Sequence, residues 1–243
     1  MSEAAKEVNV LSAGAVAPGM ERVIDTFRRE TGHGVKVGFA TAPAISQSIR
    51  GPEAVDMVIA PPAVLDEWAR AGKAAAADRV TIGRVGVGVM VRSGAPLPKI
   101  ATVDELKQSL LSAESVVYNQ ASTGIYLEKL FDQLGIGDQL KAKSTRYPDA
   151  AAVLNHIGKG QGYEIGLGAT TVIIEGQSQG LQFVGPLPAE IQNYTTYAAT
   201  VTVNGAASGA ARELVRYMTG AAGKQVLSAA GIDVLITDRQ DEG

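Results

Sequence analysis

Residues 122–125, with the sequence Ser-Thr-Gly-Ile, could bind an anion through their backbone. They follow an apolar run at 115–118 and lead into a segment, 124–134, whose apolar spacing predicts a helix. The first amide N–H groups of a helix have no acceptor within the helix and lie at the positive end of its dipole. Such amides favour an oxyanion or a carboxylate. The alternative is that Ser122 or Thr123 only caps the helix and that nothing binds there.

Four further positions could contribute polar contacts to the same ligand. Asn119 and Gln120 can both donate and accept hydrogen bonds, which suits a ligand that carries carboxyl or hydroxyl groups, although both could instead satisfy loop backbone. Arg146 and Tyr147 precede a predicted helix start at Pro148. An arginine there could hold a carboxylate with two parallel hydrogen bonds, whereas a solvent-exposed arginine is the usual alternative.

The sequence offers little for metal, nucleotide or triad chemistry. His33 lies between two glycines and is typical of a turn, and His156 lies in a helical pattern with no second ligand four residues later. The glycines at 83, 86 and 88 interrupt a strand pattern and open no helix, so a dinucleotide loop is not predicted. We therefore predict no metal and no cofactor, and the catalytic residues, if the protein has any, remain unknown.

Short strands alternate with helices along the chain, and this order predicts an α/β fold with parallel sheets covered on both faces. Apolar runs and helical spacing identify the strands and helices, and glycines and prolines mark where they end. Strands are predicted at 8–11, 35–39, 56–60, 115–118 and 164–168, and helices at 18–31, 44–50, 64–71, from 102 onward, at 124–134, at 148–158 and along the alanine-rich tail at 207–230.

Two longer strand patterns, at 80–91 and 194–203, flank a self-sufficient middle series of strands and helices. They predict two crossover strands that join two doubly wound lobes. The outer lobe would be discontinuous, comprising 1–82 and 196–243, and the inner lobe would be inserted at 83–195. We expect the ligand in a cleft between the lobes, with closure by a hinge motion.

Composition limits the partners of the protein. A net charge of −3 over 243 residues, without a cluster of basic side chains, argues against nucleic acid, and no apolar run is long enough to insert into a membrane. We expect a monomer with a small anionic molecule as its partner. Residues 1–8 (MSEAAKEV) contain no leader pattern, so the expected location is cytoplasmic as written, or periplasmic if a leader has been removed.

Five strings in order along the chain resemble the molybdate-binding branch of the type II periplasmic solute-binding proteins. Each string is short, but together they span most of the sequence. The strings are VLSAGAV (10–16), GFATAPAISQSI (38–49), AVDMVIAPPAVLDEW (54–68), NQASTGIYLEKLFDQLGI (119–136) and EIGLGATTVI (164–173).

The resemblance implies a type II periplasmic binding protein fold, with ligand held where strands end and helices begin. The positions that it implies as ligand-facing are Ser12, Ala13, Gly14, Ala15, Thr41, Ala42, Ala60, Pro61, Ser122, Thr123, Gly124, Ile125 and Gly168 with the two residues after it. Ser12 and Thr41 could equally be helix caps. Compared with molybdate binders, this chain lacks a serine at Ala15, a serine pair at Thr41 and Ala42, and a tyrosine near Ala169. The fold is therefore implied more strongly than the ligand.

Two functions follow as hypotheses. The first is binding of a small anion, either a di- or tricarboxylate or an oxyanion, as in a solute-binding protein that would serve an ABC transporter if it is exported. The alternative is an isomerase on the same scaffold, since aconitate isomerase resembles this family in fold. Such an enzyme needs one well-placed proton carrier, for which Tyr118, Tyr147, Asp149 and Glu164 are the nearest titratable residues.

Overall fold

The structure, a computed structural model, describes residues 7–51 and 54–234. Residues 1–6, on which the expectation about a leader depends, lie outside this part. The chain forms two compact units: unit 1 comprises the chain up to Val85 and from Thr195 onward, and unit 2 comprises Gly86–Tyr194. No helix in the described ranges is long and apolar enough to cross a membrane.

Unit 1 is built on a four-stranded sheet in the order β2-β1-β3-β9, in which β1, β2 and β3 are parallel and β9 is antiparallel to β3. Helices follow each of the parallel strands. The elements are β1 Val8–Ala13, α1 Ala17–Thr31, β2 Val35–Ala40, α2 Ala42–Ser48, β3 Met57–Ala60, α3 Pro62–Arg70, the first half of β4 Val80–Arg92, most of β9 Tyr194–Val201, α9 Gly209–Thr219 and α10 Ala221–Ala229.

Helix α1 shows how the apolar spacing positions an element. Met20, Val23, Ile24 and Phe27 are all buried, as their spacing predicts. The helix ends at Gly32, which adopts a left-handed conformation with φ of 74°. The next residues can therefore turn directly into β2, which pairs in parallel with β1.

Unit 2 is built on parallel strands β6, β5 and β7, with β4 antiparallel to β7 and β8 antiparallel to β4. Successive residues of β5 are buried in different cores: Val116 and Tyr118 in one, Val117 in the other. The further elements of this unit are α4 Val103–Ser112, β5 Ser115–Asn119, α5 Ser122–Gln133, α6 Gly137–Lys141, β6 Ser144–Tyr147, α7 Ala150–Lys159, β7 Glu164–Ala169, α8 Thr170–Gly176 and β8 Leu181–Pro186.

The predicted α/β architecture with parallel strands is confirmed, and several element boundaries need correction. Helix α5 begins at Ser122 rather than Gly124, and α7 begins at Ala150, with Asp149 as its cap, rather than at Pro148. The alanine-rich tail forms two helices with a break at Gly220. Four elements were not predicted, namely α6, β6, α8 and β8. Helix α8 follows β7 without a connecting loop, so the sequence has no turn residue between them that would indicate where the helix begins.

Candidate functional site

The carboxyl edge of unit 1, by which we mean the residues that follow β1, β2 and β3, brings together the first group of predicted ligand-facing residues. In the register Ala13 pairs with Ala40, and Ser12 pairs with Ile59, one residue before Ala60. Because parallel strands end at the same side of a sheet, the residues after them become neighbours. This group comprises Ser12, Ala13, Gly14, Ala15, Thr41, Ala42, Ala60 and Pro61.

This edge offers few hydrogen-bond donors. Each of the three helices that start here has proline in its first or second position, namely Pro18, Pro43 and Pro62, and proline has no N–H group. The Ser12 hydroxyl is fully buried and donates to the Ala13 carbonyl over 3.4 Å. Thr41 occupies the N-cap position of α2 but forms no side-chain capping bond. The alternative that Ser12 or Thr41 caps a helix through its side chain is therefore wrong.

The carboxyl edge of unit 2, formed by the residues that follow β5, β6 and β7, brings together most of the second group. Asn119 pairs with Tyr147, and Val117 pairs with Gly166, which places Asn119 beside Gly168. The Gln120 amide donates to the Tyr147 carbonyl over 2.8 Å. The predicted residues gathered at this edge are Asn119, Gln120, Ser122, Thr123, Gly124, Ile125, Tyr147 and Gly168.

Asn119 caps helix α5 with its side chain. Its Oδ1 accepts hydrogen bonds from the amides of Ala121, at 3.0 Å, and Gly124, at 3.2 Å. Ala121 holds the N-cap position in an extended conformation without a side-chain bond. The prediction that Ser122 or Thr123 caps this helix is therefore wrong, because an asparagine from the preceding strand performs that task.

Because of this cap, the backbone amides of residues 122–125 are not equally available to an anion. The Gly124 amide is bound to Asn119, and the Ile125 amide donates to the Ala121 carbonyl over 3.0 Å. The amides of Ser122 and Thr123 have no acceptor in the part of the chain that the structure describes. Gly124 has a different function: a Cβ atom there would overlap the carbonyl oxygen of Asn119, so only glycine permits this close approach.

Arg146 lies at the same end of β6, but its side chain is already paired. Its Nη1 lies 2.7 Å from the Glu128 carboxylate, and its guanidinium carbon lies 5.8 Å from the centre of the Tyr118 ring. Burial raises the pKa of Tyr118, which packs beneath α5. A ligand carboxylate would have to compete with Glu128, and the predicted role of Arg146 in binding stays a prediction.

Tyr147 belongs to a hydrogen-bonded relay that sequence reasoning missed. Its hydroxyl lies 2.7 Å from His156 Nδ1, and His156 Nε2 lies 2.9 Å from a Glu164 carboxylate oxygen. A carboxylate only accepts, so His156 Nε2 donates to Glu164. Glu164 is the first residue of β7, at the opposite edge of the sheet. The Tyr147 phenol is therefore held away from the carboxyl edge, and no local spacing in the sequence links these three residues.

Charged side chains are scarce at both edges. Asp149, directly after β6, is exposed, and one of its carboxylate oxygens accepts the Ala152 amide over 2.9 Å as the cap of α7. At the edge of unit 1, Tyr197 precedes Ala198, which pairs with Ala60. Tyr197 is only 6% exposed, and burial raises its pKa to about 12. An anion at these edges would therefore meet amides, hydroxyls and helix dipoles rather than free lysine or arginine side chains.

No group of three or more histidine, aspartate or glutamate side chains is placed to hold a metal ion within residues 7–51 and 54–234.

Solved structures with this fold include two that bind inorganic oxyanions. The periplasmic molybdate-binding protein of Azotobacter vinelandii superposes with a TM-score of 0.78 at 17% identity, over 93% of this chain and 98% of that one. A sulfate-binding protein of Mycobacterium tuberculosis superposes with a TM-score of 0.74 at 15% identity, over 95% and 88% of the two chains. At these identities the likeness shows the fold, which is the type II arrangement that the sequence predicted.

Two sequence comparisons extend over nearly the whole chain. An aconitate isomerase from a Pseudomonas species is 28% identical over 233 residues, which covers 93% of this chain and 87% of that protein. The family model described as bacterial extracellular solute-binding protein matches residues 8–233. Since that match includes every strand and helix described above, the chain belongs to the bacterial extracellular solute-binding protein family.

Proposed function

We propose that the protein binds a small anion, a di- or tricarboxylate or an oxyanion, with the carboxyl edge of unit 2 as its principal donor surface. The observation that carries the proposal is the start of α5, where the amides of Ser122 and Thr123 have no acceptor among the described residues. Both lie in the first turn of a 12-residue helix. Ser122 and Thr123 are half-buried, and an anionic oxygen would give their amides an acceptor at the favourable end of the helix dipole.

The surrounding residues favour recognition by hydrogen bonds over recognition by charge. The hydroxyls of Ser122 and Thr123 and the side-chain amide of Gln120 can each donate, whereas Arg146, at the end of β6, is paired with Glu128. Binding of this kind selects a ligand by the number and direction of its oxygens, because each buried oxygen must find a donor. The affinity should consequently respond weakly to salt.

The structural neighbours support both the ligand class and a transport partner. Their names state that they bind molybdate and sulfate, and another is the substrate-binding domain of a putative molybdenum ABC transporter from Clostridium difficile. We infer an ABC transporter as the partner if the protein is exported. Its location, cytoplasmic or periplasmic, and its monomeric state stay predictions.

A ligand panel tests the proposal. Thermal unfolding is followed with sulfate, phosphate, molybdate, succinate, citrate and trans-aconitate, and hits are measured by titration calorimetry. A ligand at about 100 times its dissociation constant should add roughly 2.7 kcal/mol to the free energy of unfolding. If none of these anions shifts the transition or releases heat, the proposal is wrong.

The likeness to aconitate isomerase favours a second candidate, a proton-transfer isomerase acting on an unsaturated carboxylate. Of the four titratable residues considered for this role, Tyr118 is buried, and Tyr147 and Glu164 are bound to His156. Asp149 is the member that remains exposed at the carboxyl edge of unit 2. We infer that Asp149 would carry the proton if this chain is an enzyme.

The substitution Asp149→Asn separates the two candidates. An asparagine oxygen can still accept the Ala152 amide, so α7 stays capped while the proton carrier is lost. Trans-aconitate is incubated with the protein in deuterated water, and its vinyl proton is followed by NMR. An isomerase should exchange or convert the substrate in the wild type and do neither in the variant. A protein that binds trans-aconitate without exchange is a binding protein only.

A further inference from the structure

A small cavity of about 10 Å³ opens in unit 2 beside the Asn119 cap, where β5 and β7 end against α7 and α8. Its volume corresponds to about one water molecule. Its walls are mainly apolar. The residues on which the following argument depends are Ala150, Val153, Gly168, Val172 and Ile173, together with Asn119.

Asn119 is the polar side chain in this wall, and only one of the two polar atoms of its side-chain amide forms hydrogen bonds within the described residues. The residue is 8% exposed, and its Oδ1 accepts the amides of Ala121 and Gly124. This fixes the other terminal atom as the Nδ2 donor, and Nδ2 has no acceptor in the described part of the chain. Nδ2 itself is accessible to solvent, and a ligand oxygen placed beside it would replace water as its acceptor.

The cavity therefore combines one solvent-accessible donor, which has no acceptor among the described residues, with apolar walls. A bare tetrahedral oxyanion could use the donor, but the oxygens turned toward Val153, Val172 and Ile173 would lose hydration without a replacement. A carbon group attached to a carboxylate satisfies both features, since its oxygen accepts from Nδ2 while its hydrocarbon fills the cavity. Ile125, which is 46% exposed in the first turn of α5, adds apolar surface at the same edge.

We propose that this cavity is a subsite for a one-carbon portion of the ligand, a methyl or methylene group, which makes the ligand an organic carboxylate rather than an inorganic oxyanion. The inference rests on the proposed binding function and narrows its ligand class. It assigns Gly168 a role in specificity: the absence of a side chain there keeps the cavity open.

The variant Gly168→Ala tests the subsite. An added Cβ would lie 3.8 Å from Ile173 Cδ1, which is ordinary van der Waals contact, so the protein should fold while the cavity loses its space. In calorimetry, we expect the wild type to bind succinate, citrate or trans-aconitate at least about tenfold more tightly than sulfate, phosphate or molybdate. The substitution should weaken the organic ligand by about fourfold or more, the value of one buried carbon group, and leave the oxyanions unchanged.

Two further variants complete the experiment. Gly209→Ala makes the same chemical change at the start of α9, where a Cβ meets nothing within 4 Å, and should leave all affinities unchanged. Val172→Ala enlarges the cavity from a half-buried position and should also weaken only the organic ligand. Preferred binding of an oxyanion, or equal effects of Gly168→Ala and Gly209→Ala on the organic ligand, would overturn the subsite while leaving anion binding intact. A complete lack of anion binding by the wild type would overturn both.

Discussion

The carboxyl edges of the two units follow the same plan but differ in what they offer a ligand. In both, parallel strands end side by side and helices begin directly after them. At the edge of unit 1 the helices start with Pro18, Pro43 and Pro62. At the edge of unit 2, α5 starts with Ser122 and Thr123. Proline fixes a helix start but removes a donor, whereas serine and threonine leave the backbone amide and add a hydroxyl.

This difference teaches that the fold provides the positions and the residue types decide the chemistry. The edge of unit 1 is stabilised by contacts within the chain: the Ser12 hydroxyl donates to the Ala13 carbonyl, and Tyr197 is buried. Unit 2 has an edge whose donors at α5 and at Asn119 have no acceptor among residues 7–51 and 54–234. We therefore expect substitutions at the edge of unit 2 to affect ligand binding more than substitutions at the edge of unit 1. We also expect substitutions at the edge of unit 1 to change the free energy of unfolding less.

The largest expected effect comes from a pair of glycine substitutions at equivalent places. In Gly124→Ala the new Cβ overlaps the Asn119 carbonyl oxygen, so the start of α5 must shift, whereas in Gly14→Ala the Cβ lies 3.9 Å from the Ala40 carbonyl oxygen. We expect Gly124→Ala to lower the free energy of unfolding by about 3 kcal/mol and to abolish ligand binding. Gly14→Ala should change stability by less than about 0.5 kcal/mol. Urea unfolding of both variants measures this, and equal losses would contradict the comparison.

The next effect concerns Tyr197 at the edge of unit 1. Because burial favours the neutral phenol and raises its pKa from 10.0 to about 12, the folded protein keeps this proton to higher pH than the unfolded chain. The stabilisation is complete below pH 10 and is lost as the pH rises toward 12, by an amount of roughly 3 kcal/mol. Urea unfolding at a series of pH values should show a steeper decline in the wild type than in Tyr197→Phe. Parallel curves would show that Tyr197 titrates normally.

A proline can be placed at the start of α5, as in the helices at the edge of unit 1. Ser122→Pro gives α5 the kind of start found in unit 1, and Ala121 already has an extended conformation that proline accepts in the residue before it. The Ser122 amide has no protein acceptor to lose, so stability should change by less than about 0.5 kcal/mol. Ligand affinity should fall about tenfold, the value of a hydrogen bond to a charged group. Unchanged affinity in calorimetry would place the anion elsewhere.

The smallest expected effects come from the single histidine of each unit. In unit 2, His156 bridges Tyr147 and Glu164, and the side chains of the His–Glu pair are 26% and 16% exposed. In unit 1, His33 contacts Glu213 at 3.1 Å, with both side chains more exposed. We expect His156→Asn to cost about 1 kcal/mol and His33→Asn less than about 0.5 kcal/mol in thermal unfolding. Neither should alter ligand affinity, since the relay leads away from the carboxyl edge. A loss of affinity in His156→Asn would contradict this.

Much of the fold could be predicted because its signals are local. The helical spacing of Met20, Val23, Ile24 and Phe27, and the glycine at position 32, define α1 without reference to any other element. The order of strands and helices then predicts a parallel sheet, because parallel strands require helical crossovers. The helices and strands that were missed, α6, β6, α8 and β8, are short, and their residues are fixed mainly by the elements against which they pack.

The sequence predicted which candidate residues follow the strands, but not how these residues are hydrogen-bonded. The sequence by itself determined that small and polar residues follow the parallel strands, because strand ends and helix starts are encoded by nearby residues. Only the tertiary structure decided that Asn119 caps α5 and thereby takes the Gly124 amide, that Arg146 pairs with Glu128, and that Tyr147 joins His156 and Glu164. The physical reason is that a hydrogen bond depends on a distance of about 3 Å and on direction. For side chains from different elements, both are set by the packing of the sheet and its helices, which no spacing along the chain records.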